Sequence, residues 1–137
     1  MTLAKSSLTS SLVRKLIKDP LICNYMKLSQ NEFINFILES LESMNGISWG
    51  RMFGGYVIRR NDLPIGLVFD DELYFKVNSR TLSDYQDLNS EPFSYKKQGK
   101  TIKLSNWRAP AEVLEDNETF QIWAEKAYLV AEDAAQN

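Results

Sequence analysis

The side chains available for chemistry are bounded first by what is missing: the 137-residue chain has no histidine and a single cysteine, Cys23. An imidazole base, a Ser-His or Cys-His nucleophile and a histidine metal ligand are all excluded. One cysteine allows neither an intramolecular disulfide nor a thiolate metal cluster, a usage that suits a reducing cytoplasm. Asp70-Asp71-Glu72 offers carboxylates to a hard cation, but without the spacing of an oxygen-ligand calcium loop it reads as a solvated turn. Gly54-Gly55 permits close approach to a phosphate, yet no Walker or dinucleotide pattern surrounds it, and a structural bend is the better reading. Arg51, beside Trp49 and Phe53, suits stacking or pairing within the domain better than anchoring a ligand.

The one electrostatic feature that points to a function is Lys96, Lys97, Lys100, Lys103 and Arg108, with no acid between Phe93 and Arg108. Interleaved Phe93, Tyr95 and Trp107 fit a nucleic-acid surface, where cations meet phosphates and rings stack on bases. The competing reading, which is the stronger, is a hairpin edge whose lysines discourage strand-to-strand aggregation. Overall charge does not decide between them, because the formal net value is only -2. Its distribution is uneven: residues 1–28 carry five cations and one acid, residues 29–108 ten of each, and residues 109–137 one cation and seven acids.

The elements that must position these groups follow from periodicity. Ser29-Gln30-Asn31-Glu32 has the form of a capping box, so a helix is expected to start there. Phe33, Phe36, Ile37, Leu41 and Met44 recur every three or four residues along one face, and Asn45-Gly46 supplies a left-handed exit. From Ile47 to Val77 the period becomes two. A strand through Tyr56-Val57-Ile58 runs into the polar turn Arg59-Arg60-Asn61-Asp62. Strands Ile65 to Phe69 and Leu73 to Val77 follow, and an Asp70-Asp71-Glu72 loop sets Phe69 against Leu73 and Leu67 against Phe75.

A short helix is expected within Thr81 to Leu88. The next hairpin pairs Phe93–Lys97 with Lys100–Ser105 across a Gln98-Gly99 turn, which places Tyr95 opposite Ile102 and Phe93 opposite Leu104. Ser94, Lys96, Thr101 and Lys103 then share the other, wetter face. Pro110 suits the start of a short helix through Leu114, and Asp116 or Asn117 can cap a last helix with Phe120, Trp123, Ala127 and Val130 on one side. The sum is a two-layer α+β domain, in the order α-β-β-β-α-β-β-α, with a five-stranded antiparallel sheet and helices on one face.

Residues 1–25 read as a basic N-terminal extension ahead of a domain spanning 26–137. Leu8, Leu12 and Leu16 fall on one stripe with Arg14, Lys15 and Lys18 beside it, and Asp19-Pro20 ends it. The segment is Ser-rich and basic, as transit peptides are, but its apolar face is short and no cleavage signature is evident. No run approaches the ~18 consecutive apolar residues of a membrane-spanning helix, so no membrane association is expected.

The order and spacing of Arg51-Met52-Phe53-Gly54-Gly55-Tyr56, Leu73-Tyr74-Phe75-Lys76, Pro92-Phe93-Ser94-Tyr95, Gly99-Lys100 and Trp123 resemble the N-terminal domain of the TfoX/Sxy regulators, proteins associated with bacterial competence. The resemblance covers about residues 26 to 131. It implies the same architecture and a cytoplasmic, non-enzymatic regulatory or adaptor role through protein contacts, with no cofactor. Val57-Ile58, Pro64 and Asn106-Trp107 depart from the family pattern. Those regulators also have a C-terminal helical domain that 137 residues are too few to include. The expected partner is a protein, a homodimer is possible on exposed sheet edges, and a basic 96–108 hairpin binding nucleic acid or a small ligand beside Gly54-Gly55 are the alternatives.

Overall fold

The computed structural model describes residues 30–52 and 54–136. The basic extension, Cys23, Ser29 of the expected capping box and Phe53 lie outside the described residues. The elements are α1 (Gln30–Ser40), β1 (Ile47–Met52), β2 (Gly55–Arg60), β3 (Leu63–Phe69), β4 (Glu72–Lys76), α2 (Leu82–Gln86), β5 (Pro92–Lys97), β6 (Lys100–Arg108), α3 (Ala111–Glu115) and α4 (Asn117–Gln136). The strands form one antiparallel sheet in the order β1-β2-β3-β4-β6-β5.

Burial divides the sheet into two unlike faces. Phe33 and Ile37 from α1, Leu41 just after it, and Phe120, Ala124 and Ala127 from α4 pack on Tyr56, Ile58, Val68, Leu73 and Phe75 in the main core. The opposite face carries a smaller cluster of Val57, Leu67 and Phe93, with Phe69, Tyr74, Tyr95 and Leu104 packed against it. No described helix contributes to that second cluster. Polar ties fix α4 across the first layer: Gln121 Nε2 donates to Ser43 Oγ at 2.7 Å, and Arg60 Nη1 meets Glu125 Oε1 at 2.6 Å. Arg60 also lies 4.7 Å from the centroid of the Tyr128 ring.

The sheet has six strands rather than the expected five, the addition being β1. None of the β1 residues is buried, so no alternation marks it in the sequence. Pairing with β2, from Ile47 opposite Arg60 to Met52 opposite Gly55, holds it in place.

The expected Asp70-Asp71-Glu72 loop is corrected. Asp70-Asp71 alone form the turn, at φ 51° and 59°, and Glu72 already pairs with Phe69. Two successive positive φ values make this a primed turn, whose twist matches that of the flanking strands, and aspartate tolerates the left-handed region better than most residues. The register therefore slips by one: Val68 faces Leu73 and Gly66 faces Phe75, while Leu67 faces Tyr74 on the other side of the sheet. Asn61-Asp62 and Gln98-Gly99 make the same kind of turn. β2 accordingly continues through Arg60 instead of ending at Ile58.

Tyr95 stands opposite Ile102 as expected, whereas Phe93 opposite Leu104 is not the observed pairing. The register shifts between Pro92 and Ser94, where Pro92 meets Trp107 and Ser94 meets Lys103. Proline cannot donate to the ladder, so the strand start accommodates an irregularity.

Candidate functional site

The candidate site is built on the helix-free face, and its shape comes from one bulge. Arg59 pairs with Pro64 and Ile58 with Gly66, so β3 has one residue more than β2 between these positions. The extra residue, Ile65, is fully buried in the main core, and Gly66 has no side chain. Between Pro64 and Leu67 the helix-free face thus lacks a side chain on β3. A groove of about 330 Å³ occupies the gap, lined by Met52, Val57, Leu67 and Leu104 and flanked by Arg59 and Lys76. At its β6 side, Asn106 is fixed by donating from Nδ2 to the Tyr74 carbonyl at 3.2 Å.

Beside the groove the aromatic cluster continues the apolar surface. Phe93 is buried under Phe69, Tyr74 and Tyr95, with ring centroids at 5.8, 4.9 and 6.0 Å. The edge-on contacts with Phe69 and Tyr74 add to the burial of the rings themselves. At the far end, Arg108 Nη1 lies 3.8 Å from Glu91 Oε1.

Burial pushes the Glu72 carboxyl above its ordinary value of 4.5, opposed by Arg108 and reinforced by Glu91 and Asp71. Burial likewise raises Tyr74, with Glu72 the next cause. A raised folded value means that ionised Glu72 opposes folding: its contribution is most favourable below the unfolded value and is lost as pH rises through the folded one. Glu72→Gln should therefore raise the thermal midpoint at pH 7, with the difference closing below the ordinary glutamate value of 4.5. Thermal melts of both proteins across that range would check it, and an equal or lower midpoint for the variant at pH 7 would contradict it.

The structure separates the basic residues singled out in the sequence. Lys97 and Lys100 pair beside the turn, while Lys96 pairs with Thr101 and Ser94 with Lys103. Strand alternation puts Lys97 and Lys100 on the face of Tyr95, and Lys96 and Lys103 on the opposite one. All four lysines are exposed around the hairpin tip. Arg108, about 17 Å along β6 from Lys103 at strand rise, belongs to the other end. The five do not form one patch.

The glycine pair has a backbone role. Gly54 adopts φ +79°, and a Cβ on Gly55 would lie 2.0 Å from the Val68 carbonyl oxygen. Neither glycine lines the groove, although Met52 and Val57 on either side of them do. Arg51 is exposed on the β1 edge, and Trp123 packs on Tyr85 with ring centroids 4.6 Å apart. Among the described residues, no three acids or cysteines are grouped so as to hold a metal ion, and no helix is long and apolar enough to cross a membrane.

Sequence reasoning missed Arg59 and Lys76. In the sequence Arg59 reads as turn chemistry, and Lys76 only as part of a family motif. Pro64, which interrupts the hairpin pattern, is the sequence signal nearest to the bulge that brings them to one groove.

Helices on one side of an antiparallel sheet, with an apolar and cationic surface on the other, define a two-layer α+β domain of the open-faced kind. The chain belongs to the TfoX N-terminal domain family, whose model matches residues 39–131. That match begins within α1, takes in all six strands and ends within α4. A search of curated proteins returned no match.

Proposed function

We propose that this is a non-enzymatic regulatory or adaptor domain that works through protein contacts on the helix-free face of its sheet. The observation that carries the reading is the continuity of the Phe69, Tyr74, Tyr95 and Leu104 surface with the cation-flanked groove. An apolar centre with charged residues around it is how protein-contact surfaces are built. Membership of the TfoX N-terminal domain family supports a regulatory role. Photo-crosslinking residues at Ile102, on the helix-free face, and at Ile122, exposed on α4, test it in native cells. Covalent protein adducts from Ile102 and none from Ile122 are expected. Adducts from Ile122 alone would refute the reading.

Self-association at the β1 edge belongs to the same proposal. The two edges of the sheet are not equally protected. β5 starts at Pro92, has an irregular register there, and carries Lys96 and Lys97, all features that discourage strand addition. β1 has no proline or lysine, carries Arg51 as its one charge, and exposes Trp49 and Met52. A dimer formed by β1 pairing should appear in sedimentation at high protein concentration and vanish with Trp49→Lys, which removes the exposed ring and adds a second cation beside Arg51. Monomer alone at high concentration would remove it.

A further inference from the structure

We propose that the groove between Arg59 and Lys76 binds an acidic segment of a protein partner, an extended stretch in which a glutamate or aspartate is flanked by apolar side chains. The proposal rests on the protein-contact reading of the helix-free face and states what docks there.

The charge pattern supplies the first argument. Arg60, Arg80 and Arg108 each have an acid within 4 Å, namely Glu125, Asp133 and Glu91. Neither Arg59 nor Lys76 has such a partner among the described residues, although both are half-buried. A cation that has already lost part of its water gains more from an incoming carboxylate than a fully hydrated one.

Geometry supplies the second. Arg59 on β2 and Lys76 on β4 flank β3, so their backbones stand about 10 Å apart at normal strand spacing. Arg59 lies level with Pro64, and Lys76 follows the partner of Gly66, so both are at the height of the bulge. The Arg59 guanidinium rests over Gly50 of β1, and swinging from there across the groove it can meet one carboxylate opposite Lys76. Leu67 lies between them, with Val57 beside Arg59 and Leu104 beyond Lys76 on β6, an aliphatic floor that suits the apolar neighbours of that acid.

The occupant comes from another protein. The first 28 residues of this chain carry five cations against one acid, the same sign as the groove. Its acid-rich residues 109–137 build α3 and α4, which pack on the opposite face of the sheet. A second copy docking α4 into the groove would make a head-to-tail contact, which has no reason to close. Nucleic acid would meet the two cations but would find an aliphatic floor, since no aromatic ring among the described residues lines the groove.

The test is fluorescence anisotropy with a blocked, dye-labelled octapeptide alternating leucine and glutamate, against its glutamine counterpart and an oligothymidine of eight nucleotides. The glutamate peptide should bind best, weaken with salt, and lose about tenfold in affinity on Arg59→Gln with Lys76→Gln. Lys97→Gln with Lys100→Gln should leave it unchanged. In the wild-type protein, amide shifts on titration should centre on Val57 and Leu104, a readout independent of any variant's folding. Absence of binding, equal binding of the glutamine peptide, preference for the oligonucleotide, or shifts elsewhere would overturn the proposal. Adducts from Ile102 in cells alongside any of those results would retain the protein-contact reading and remove only this assignment.

Discussion

Gly55→Ala is expected to destabilise the domain by about 3 kcal/mol or more, the upper end of what overpacking costs. The added Cβ would sit 2.0 Å from the Val68 carbonyl oxygen and 3.1 Å from its carbon. The obstacle is backbone, so no rotamer change can clear it. Restoring an ordinary contact requires the Cβ and the Val68 carbonyl to part by about 1.4 Å, which takes ladder hydrogen bonds between β2 and β3 out of their normal range. Tyr56 opposite Val68 and Val57 opposite Leu67 are the pairs that would separate. Because Val57 and Leu67 also line the groove, binding there should fall with stability. Gly54→Ala is the control: nothing lies within 4 Å of its Cβ, and only the φ of +79° is unfavourable, a cost of roughly 1–2 kcal/mol. Urea unfolding of both variants would check the order. A Gly55→Ala protein as stable as the wild type would mean that β2 and β3 do not approach as described.

The second large effect lies where the helical layer meets the sheet. Phe120 of α4 and Phe75 of β4 are 0% and 1% exposed, with ring centroids 5.8 Å apart at 74°. Phe120→Ala removes a ring from a site that the surrounding strands cannot fill, at a cost of about 3–5 kcal/mol. Against a total stability of about 5–15 kcal/mol, that is enough to lower the midpoint by about 10 °C or more. Phe75→Leu tests the pair more finely. A double-mutant cycle should return a coupling of about 0.5–1.5 kcal/mol beyond the loss of buried area. Full additivity would show that the rings contribute only by burial.

Much of the architecture was legible in the residues. The apolar stripe of Phe33, Phe36, Ile37, Leu41 and Met44 is buried throughout, although α1 ends at Ser40 and the positive-φ Gly46 leads into β1 instead of closing the helix. The Gln98-Gly99 turn and the separation of Lys96 from Tyr95 follow from alternation alone. The β3–β4 register was not legible, because Leu63–Phe69 is apolar on both sides. Val68 enters the main core and Leu67 the second cluster, so alternation could not tell which was which. The groove was hidden for a related reason: Arg59, Lys76 and Leu104 lie on strands that meet only through the order β2-β3-β4-β6.

The sequence by itself determined the local periods, the Gln98-Gly99 turn, the α+β class and the lack of any imidazole chemistry, since each depends on residue type and nearest neighbours. Only the tertiary structure decided the β3–β4 register, the burial of Ile65 beneath the bulge and the meeting of two distant cations over an aliphatic floor. Those outcomes depend on packing between segments far apart in the chain, where a shift of one residue exchanges the two faces of a strand.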